Sequence, residues 1–307
     1  MFLRLGNSAS LVIILVLGLI WKDNKALQFI LCAALSGVMG IITMLGGMRA
    51  TRERIAYENE RKNPLEGFGD ILRNKYAWNI IVSEFLKSFR GIANFMGTFL
   101  AAALLGDSSK FLLFGLPTGI GTAVGMLIIN FLLKKFDSRV LYIASGIYSL
   151  IANTGAFLIG YTYFKQETSG GPLRIVFIVF LFLIGLQFGA VTLMPMIMTA
   201  DCVDYYEYET GKRMEGAAYS ILTLTIKVCL ALGTAVGLIF VQVSGYYDAL
   251  GAGTFTTKTK DIIFFAYTAL PGVLALLSIF PMFKYDIVGE KKAQISAALS
   301  QRRAGKE

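Results

Sequence analysis

No histidine occurs anywhere in the 307 residues of this chain. A catalytic triad built on imidazole and the common zinc sites therefore find no support in it. Cysteine is almost as scarce. Cys32, Cys202 and Cys229 are scattered with no metal-ligand spacing, so neither a metal cluster nor a disulfide framework is indicated. Charge is the third shortage: Asp, Glu, Lys and Arg make up 16% of the chain, against about 25% in a soluble domain. What fills the gap is apolar, with 55% hydrophobic residues and a mean hydropathy of +0.63. The expectation is an all-α membrane protein. The net charge of +9 does not imply nucleic acid, because the bases gather in the connections between apolar runs.

A bilayer core about 30 Å thick needs about 20 helical residues. Eight runs qualify, at roughly 3–21, 27–48, 77–105, 111–133, 139–163, 174–199, 216–244 and 262–283. A cleaved signal peptide at the N-terminus is the lesser reading, because the second run follows too soon and suits a helical hairpin better. The connections alternate in charge. Arg4 with segments 49–76, 134–139, 200–215 and 284–307 carries 19 of the 29 bases, and the opposite set of connections carries 7. The basic set is expected in the cytoplasm, with both termini inside and the chain multi-pass in the plasma membrane. The polar stretch 49–76 is read as a cytoplasmic central loop that separates two helices (1–48) from a bundle of six (77–283). The tail 284–307 reads as a solvated cytoplasmic end near anionic headgroups.

Charges at bilayer depth cost about 2.5–3.5 kcal/mol each on insertion scales, so they point to a site. In the run "NIIVSEFLKSFRGIANF", Lys87, Arg90 and Asn94 fall in one sector of a helix with Glu84 at its edge, and Glu84 and Lys87 are spaced to pair. The plainer reading is a group at the interface that snorkels. Lys227 stands alone in "YSILTLTIKVCLALG", about 16 Å along its helix from Gly216. That is too deep for easy snorkelling, and a fixed positive charge in a transport cavity is the functional reading. Gln187 and Thr192 are candidates to line the same cavity, although single polar residues in membrane helices more often hold helices together. Pro117 among the glycines of "GLPTGIGTAVG" and Pro195 in "MPM" mark kinks or close packing.

Between two apolar runs lies "ADCVDYYEYETGKRMEG", residues 200–216, with Asp201, Asp204, Glu207, Glu209 and Glu215 beside Lys212 and Arg213. Its spacing, A-D-x-x-D-Y-x-E-x-x-T-G-x-R-x-E-G, closely resembles the glycoside–pentoside–hexuronide:cation symporters, the melibiose-permease branch of the major facilitator superfamily. The "TRER" at 51–54 resembles that family's segment after its sixth helix. The resemblance implies a major-facilitator helical bundle whose helices 5–12 are present. It also implies alternating access and a cytoplasmic gate drawn from Asp201, Asp204, Glu207, Arg213 and Glu215. Lys227 matches a lysine that the family places near sugar and cation, and Thr223 a threonine near the cation. Departures at Leu222 and Thr192 imply a sugar other than melibiose.

The expected function is cation-coupled symport of a sugar or glycoside. No cofactor is expected beyond a coupling Na+, Li+ or H+, whose ligands the resemblance places mostly in helices 1–4. Because those helices are missing, the chain is expected to be an incomplete symporter, with a separate N-terminal half as a partner to look for. The other readings are a carrier of an anionic substrate such as a uronide or charged lipid, for which the Lys87/Arg90 face speaks, and an inactive membrane fragment or partner subunit. An enzyme is not expected, since no nucleophile–base pair or metal constellation lies within the spans.

Overall fold

The computed structural model describes residues 25–50, 64–89, 91–165 and 172–304, and its chain divides into two compact units, Met1–Lys62 and Asn63–Glu307. The first unit contributes one described helix, α1 (Lys25–Ala50). Its apolar part, Ala33–Arg49, is shorter than a full span. The expected run 3–21 and the "TRER" segment lie outside the described residues.

The second unit is a bundle. A short helix α2 (Pro64–Leu72) leads into α3 (Lys75–Ser88) and α4 (Gly91–Leu105), followed by α5 (Leu112–Leu132) and α6 (Ser138–Lys165). Then come α7 (Pro172–Thr210), α8 (Glu215–Val243), the single-turn-and-a-half α9 (Tyr246–Gly251), α10 (Thr257–Tyr267), α11 (Ala269–Leu277) and α12 (Gly289–Ala304). No strand occurs among the described residues. Among the described residues, six stretches are long and apolar enough to cross a membrane: Lys75–Leu105, Leu112–Leu132, Ser138–Thr162, Ile175–Thr210, Glu215–Val243 and Thr257–Lys284. These coincide with the six runs expected after residue 76. Side chains such as Phe131 (68% exposed) and Ile151 (65%) point outward from the bundle, as lipid-facing residues should.

Local chemistry sets several of the joints. The Asn74 side chain accepts from the Tyr76 N–H at 2.9 Å and caps α3. Gly211, at φ +72°, ends α7, and its N–H returns to the Glu207 carbonyl at 2.8 Å. The tightest crossing joins α5 to α7. A Cβ built on Gly121 would lie 2.2 Å from the Phe182 carbonyl oxygen, and one on Gly125 2.1 Å from that of Leu186. On the facing helix, a Cβ on Gly185 would lie 2.2 Å from the Thr118 carbonyl oxygen. Two small-xxx-small pairs thus bring backbone against backbone, as membrane helices do when dispersion rather than hydrophobicity drives association.

Two sequence readings are corrected. Segment 200–215 is not a connecting loop: α7 continues to Thr210, leaving only a short turn before α8. The tail is not simply solvated either. Helix α12 packs on the bundle, with Ile295 and Leu299 buried in the same cluster as Tyr76, Met198, Cys202 and Tyr285.

Candidate functional site

Helix α7 has 39 residues. At about 1.5 Å per residue it is nearly twice as long as a 30 Å bilayer core requires, so its acidic end projects beyond the apolar layer. Hydropathy falls sharply after Ala200, yet no breaker appears until Gly211, and the helix runs on. Asp201, Asp204, Glu207 and Tyr208 are thereby spaced three, three and one residues apart, along one side of the projection.

Arg213, in the turn, gathers three of the acids. One guanidinium nitrogen donates to Asp204 Oδ1 at 2.9 Å and to Glu207 Oε2 at 2.7 Å, and Nε donates to Glu215 Oε2 at 3.1 Å. The cation sits beyond the C-terminus of α7, and Glu215 stands in the first turn of α8, so both helix dipoles favour the arrangement. Burial alone would lower the Arg213 pKa, but the bonds to Glu207, Asp204 and Glu215 outweigh it and leave the pKa raised. The guanidinium stays charged throughout. Asp204 and Glu215 remain well exposed, so each pair contributes about 1 kcal/mol or less. Such a cluster is suited to being remade.

Asp201 takes a different partner. Lys292 of α12 donates to its carboxylate at 2.8 Å. Asp201 is 8% exposed, a burial that the sequence did not signal. The five residues expected in the gate thus fall into two groups: Arg213 with Asp204, Glu207 and Glu215, and Asp201 with Lys292.

The residues expected in a cavity are separated too. Lys87 is buried inside the bundle at 4% exposure, paired with Glu84 (3%), over the Tyr142 ring at 5.4 Å. Its ammonium also donates to the Val191 carbonyl at 3.1 Å. That carbonyl is the one that Pro195, having no N–H, leaves without its helical partner. One helix supplies an orphaned acceptor and the other a donor to it. The pairing could have been sought by counting four residues back from each in-span proline. One turn before Val191, Gln187 is 3% exposed, and its Oε1 has no hydrogen-bond partner among the described residues. Thr192 is half-buried and returns its hydroxyl to the Phe188 carbonyl at 2.8 Å. Arg90 lies outside the described residues. Asn94 falls on α4, past the break between Ser88 and Gly91, so the single helical sector drawn through Lys87 and Asn94 is interrupted.

Lys227 and Thr223 lie elsewhere. Both are exposed on α8, one turn apart, on a face that also carries Gly216 and Ser220. A separate flank of the helix, with Gly233 and Gly237, packs on Phe89, Ile92 and Phe95. Mid-span Lys227 has no ion-pair or hydrogen-bond partner among the described residues of its own unit.

Comparison with known proteins matches residues 1–289 to the model of a family described as MFS/sugar transport protein. The chain is 24% identical to the inner membrane symporter YicJ of Escherichia coli over 89% of its own length and 57% of that protein's. It is 25% identical to the lactose permease of Lactobacillus delbrueckii subsp. bulgaricus, over 86% of this chain and 40% of the permease. With the putative glycoside/cation symporter YagG of Escherichia coli it shares 22% identity, over 94% of this chain and 61% of the relative. The chain thus spans about half the length of these symporters.

Proposed function

The chain belongs to the MFS/sugar transport protein family, a family of multi-pass membrane transporters rather than enzymes, and from that premise we propose that it serves cation-coupled symport of a sugar or glycoside by alternating access. The coupling ion is Na+, Li+ or H+. The orientation is that of the bases, with the Arg213 cluster and both termini on the cytoplasmic side of the plasma membrane.

The observation that carries this reading is Lys227. A charge near mid-membrane costs several kcal/mol unless it faces protein or a wet cavity. Lys227 faces away from its own bundle, with Thr223 one turn below it. A wet, substrate-facing wall gives that ammonium water, sugar hydroxyls and carboxylates to bind, and lipid gives it none. Rocking of bundles about such a wall is how midplane sites are exposed to one side at a time. The Arg213 cluster is the cytoplasmic gate in this scheme. Its weak, exposed pairs with Asp204 and Glu215 suit a contact that must form and break in every cycle, because states a few kcal/mol apart are easily rebalanced.

The test is ligand-dependent stabilisation of the purified chain. A panel of neutral glycosides is added with Na+, Li+ or at low pH, and the melting temperature is followed. One glycoside–cation combination should raise it, by about 2–4 °C per kcal/mol for a protein of this size, and K227A should abolish the rise. A stabilisation that K227A leaves intact would remove Lys227 from the site. No stabilisation by any combination would count against symport by this chain.

A further inference from the structure

The C-terminal helix α12 is the element that the symport reading leaves unused. Its contacts fall on one stripe, Lys292, Ile295, Leu299 and Arg302, spaced three, four and three residues apart. The two middle members are buried, at 4% and 3% exposure. The two ends are cationic, and both reach the projecting part of α7. Lys292 holds Asp201 at 2.8 Å. An Arg302 guanidinium nitrogen donates to the Tyr208 carbonyl at 2.9 Å and to that of Glu207 at 3.4 Å, with the guanidinium 5.5 Å from the Tyr208 ring centre. Those carbonyls belong to the last turn of α7, where the dipole favours a cation, and that of Glu207 also accepts from the Gly211 N–H. The root of α12 is secured separately. Lys291 donates to the Tyr76 hydroxyl at 2.6 Å and to Asp286 at 3.0 Å, and the Gly289 N–H donates to Asp137 at 3.3 Å.

We propose that α12 is a clasp on the cytoplasmic end of α7, and that Lys292 and Arg302 are positioning residues that hold the acidic turns of α7 in the register in which Arg213 binds Asp204 and Glu207. Lys292 grips the first acid of the projection and Arg302 its last turn. Asp204 and Glu207, two of the acids bound by Arg213, lie between those two grips. An acidic helix end standing free of the bundle would carry several like charges at close spacing and fray. The two cations offset that charge, and the apolar pair between them supplies the adhesion. The role assigned to these residues rests on the gate reading of the Arg213 cluster; the clasp itself does not.

Cys202 is a built-in reporter. It follows Asp201, is 4% exposed, and belongs to the cluster that holds Ile295 and Leu299. In a C32S/C229S background it is the sole thiol. Its labelling rate by a charged maleimide is measured on the protein in nanodiscs, where both faces are accessible. Labelling should be slow in the parent and in K292R, which keeps the charge. It should rise about tenfold in K292E, the scale of one charge-assisted hydrogen bond turned to repulsion. The D201K/K292D swap should return it towards the parent rate, which a merely structural lysine would not do. A chain ended after Val288 should label at least as fast as K292E. Rates in K292E and in the shortened chain within twofold of the parent would overturn the clasp, as would a swap that labels no more slowly than K292E alone. The gate is read separately, by sugar-dependent stabilisation and transport in R213A. If R213A leaves both unchanged while the labelling pattern holds, the clasp stands and the gate assignment falls.

Discussion

Lys87 and Lys227 are the same side chain in runs of similar hydropathy, and they end in opposite surroundings. Lys87 turns into its own bundle and is compensated twice, by the Glu84 carboxylate and by the Val191 carbonyl that Pro195 frees. Lys227 turns out of it, uncompensated by its own unit. That contrast fixes what substitution should do at each. Removing one member of a buried ion pair strands the other charge, at a cost of about 3–5 kcal/mol. Removing both for apolar groups of like shape costs far less. We therefore expect E84M and K87M each to lower unfolding stability by about 3 kcal/mol or more, and the E84M/K87M double variant to recover most of the loss. The measurement is denaturant unfolding in micelles with a double-mutant cycle. Additive losses would mean that the pair is not coupled and that Lys87 answers to another partner. At Lys227, where nothing in the unit is left stranded, the neutral variant should alter ligand response and leave stability almost unchanged. The spacing of Glu84 and Lys87 was legible in the sequence; the direction in which their face turned was not. Periodicity defines a face but not its neighbour, and the break at Ser88–Gly91 interrupts the phase between Lys87 and Asn94.

Elements were read well where hydropathy decides and poorly where it does not. The six runs after residue 76 were legible because about 20 apolar residues have few other uses. The end of α7 was not, because hydropathy reports where lipid stops, whereas a helix stops at a breaker; here Gly211 lies eleven residues past Ala200. Helix α12 was overlooked for a related reason. Its apolar content is two buried side chains on a polar helix, and only the regular spacing of Lys292, Ile295, Leu299 and Arg302 betrays it. The glycines of α5 were legible as a sign of close packing, and the structure supplies their partners, Gly185 and Gly189 of α7. A methyl group on Gly125 would sit 2.1 Å from the Leu186 carbonyl oxygen and 2.9 Å from its Cα. The obstacle is backbone, so no rotamer change relieves it and the helices must separate. G125A should destabilise the bundle by about 1–3 kcal/mol, the usual cost of overpacking, and G125L by more. Ala at Gly119, with nothing within 4 Å of the added group, is the control and should be neutral or slightly stabilising. Equal effects at the two positions would show that helix propensity, not the crossing, controls the response.

At the scale of the molecule, one asymmetry joins fold to function: the side on which the bases lie. Within the second unit, six spans place residues 106–111 and 244–256 on one side, and the turn at Arg213 and helix α12 on the other. The side holding Arg213 and α12 carries most of the bases, which predicts that it faces the cytoplasm. Alkaline phosphatase fused after Asp107 should then be active and the same enzyme fused after Lys212 inactive, while a fluorescent protein after Glu307 should fluoresce. The outcome bears on more than topology. The clasp of α12 on α7 is a matter of contacts and would survive an inverted chain. The proposed gate would not survive as a cytoplasmic one, since Arg213 and its three carboxylates would lie outside, and in the proposed symport a substrate would meet them first on entry rather than last. An inverted pattern of reporters would thus leave the Lys227 wall in place and reverse the order in which a sugar encounters the two sites.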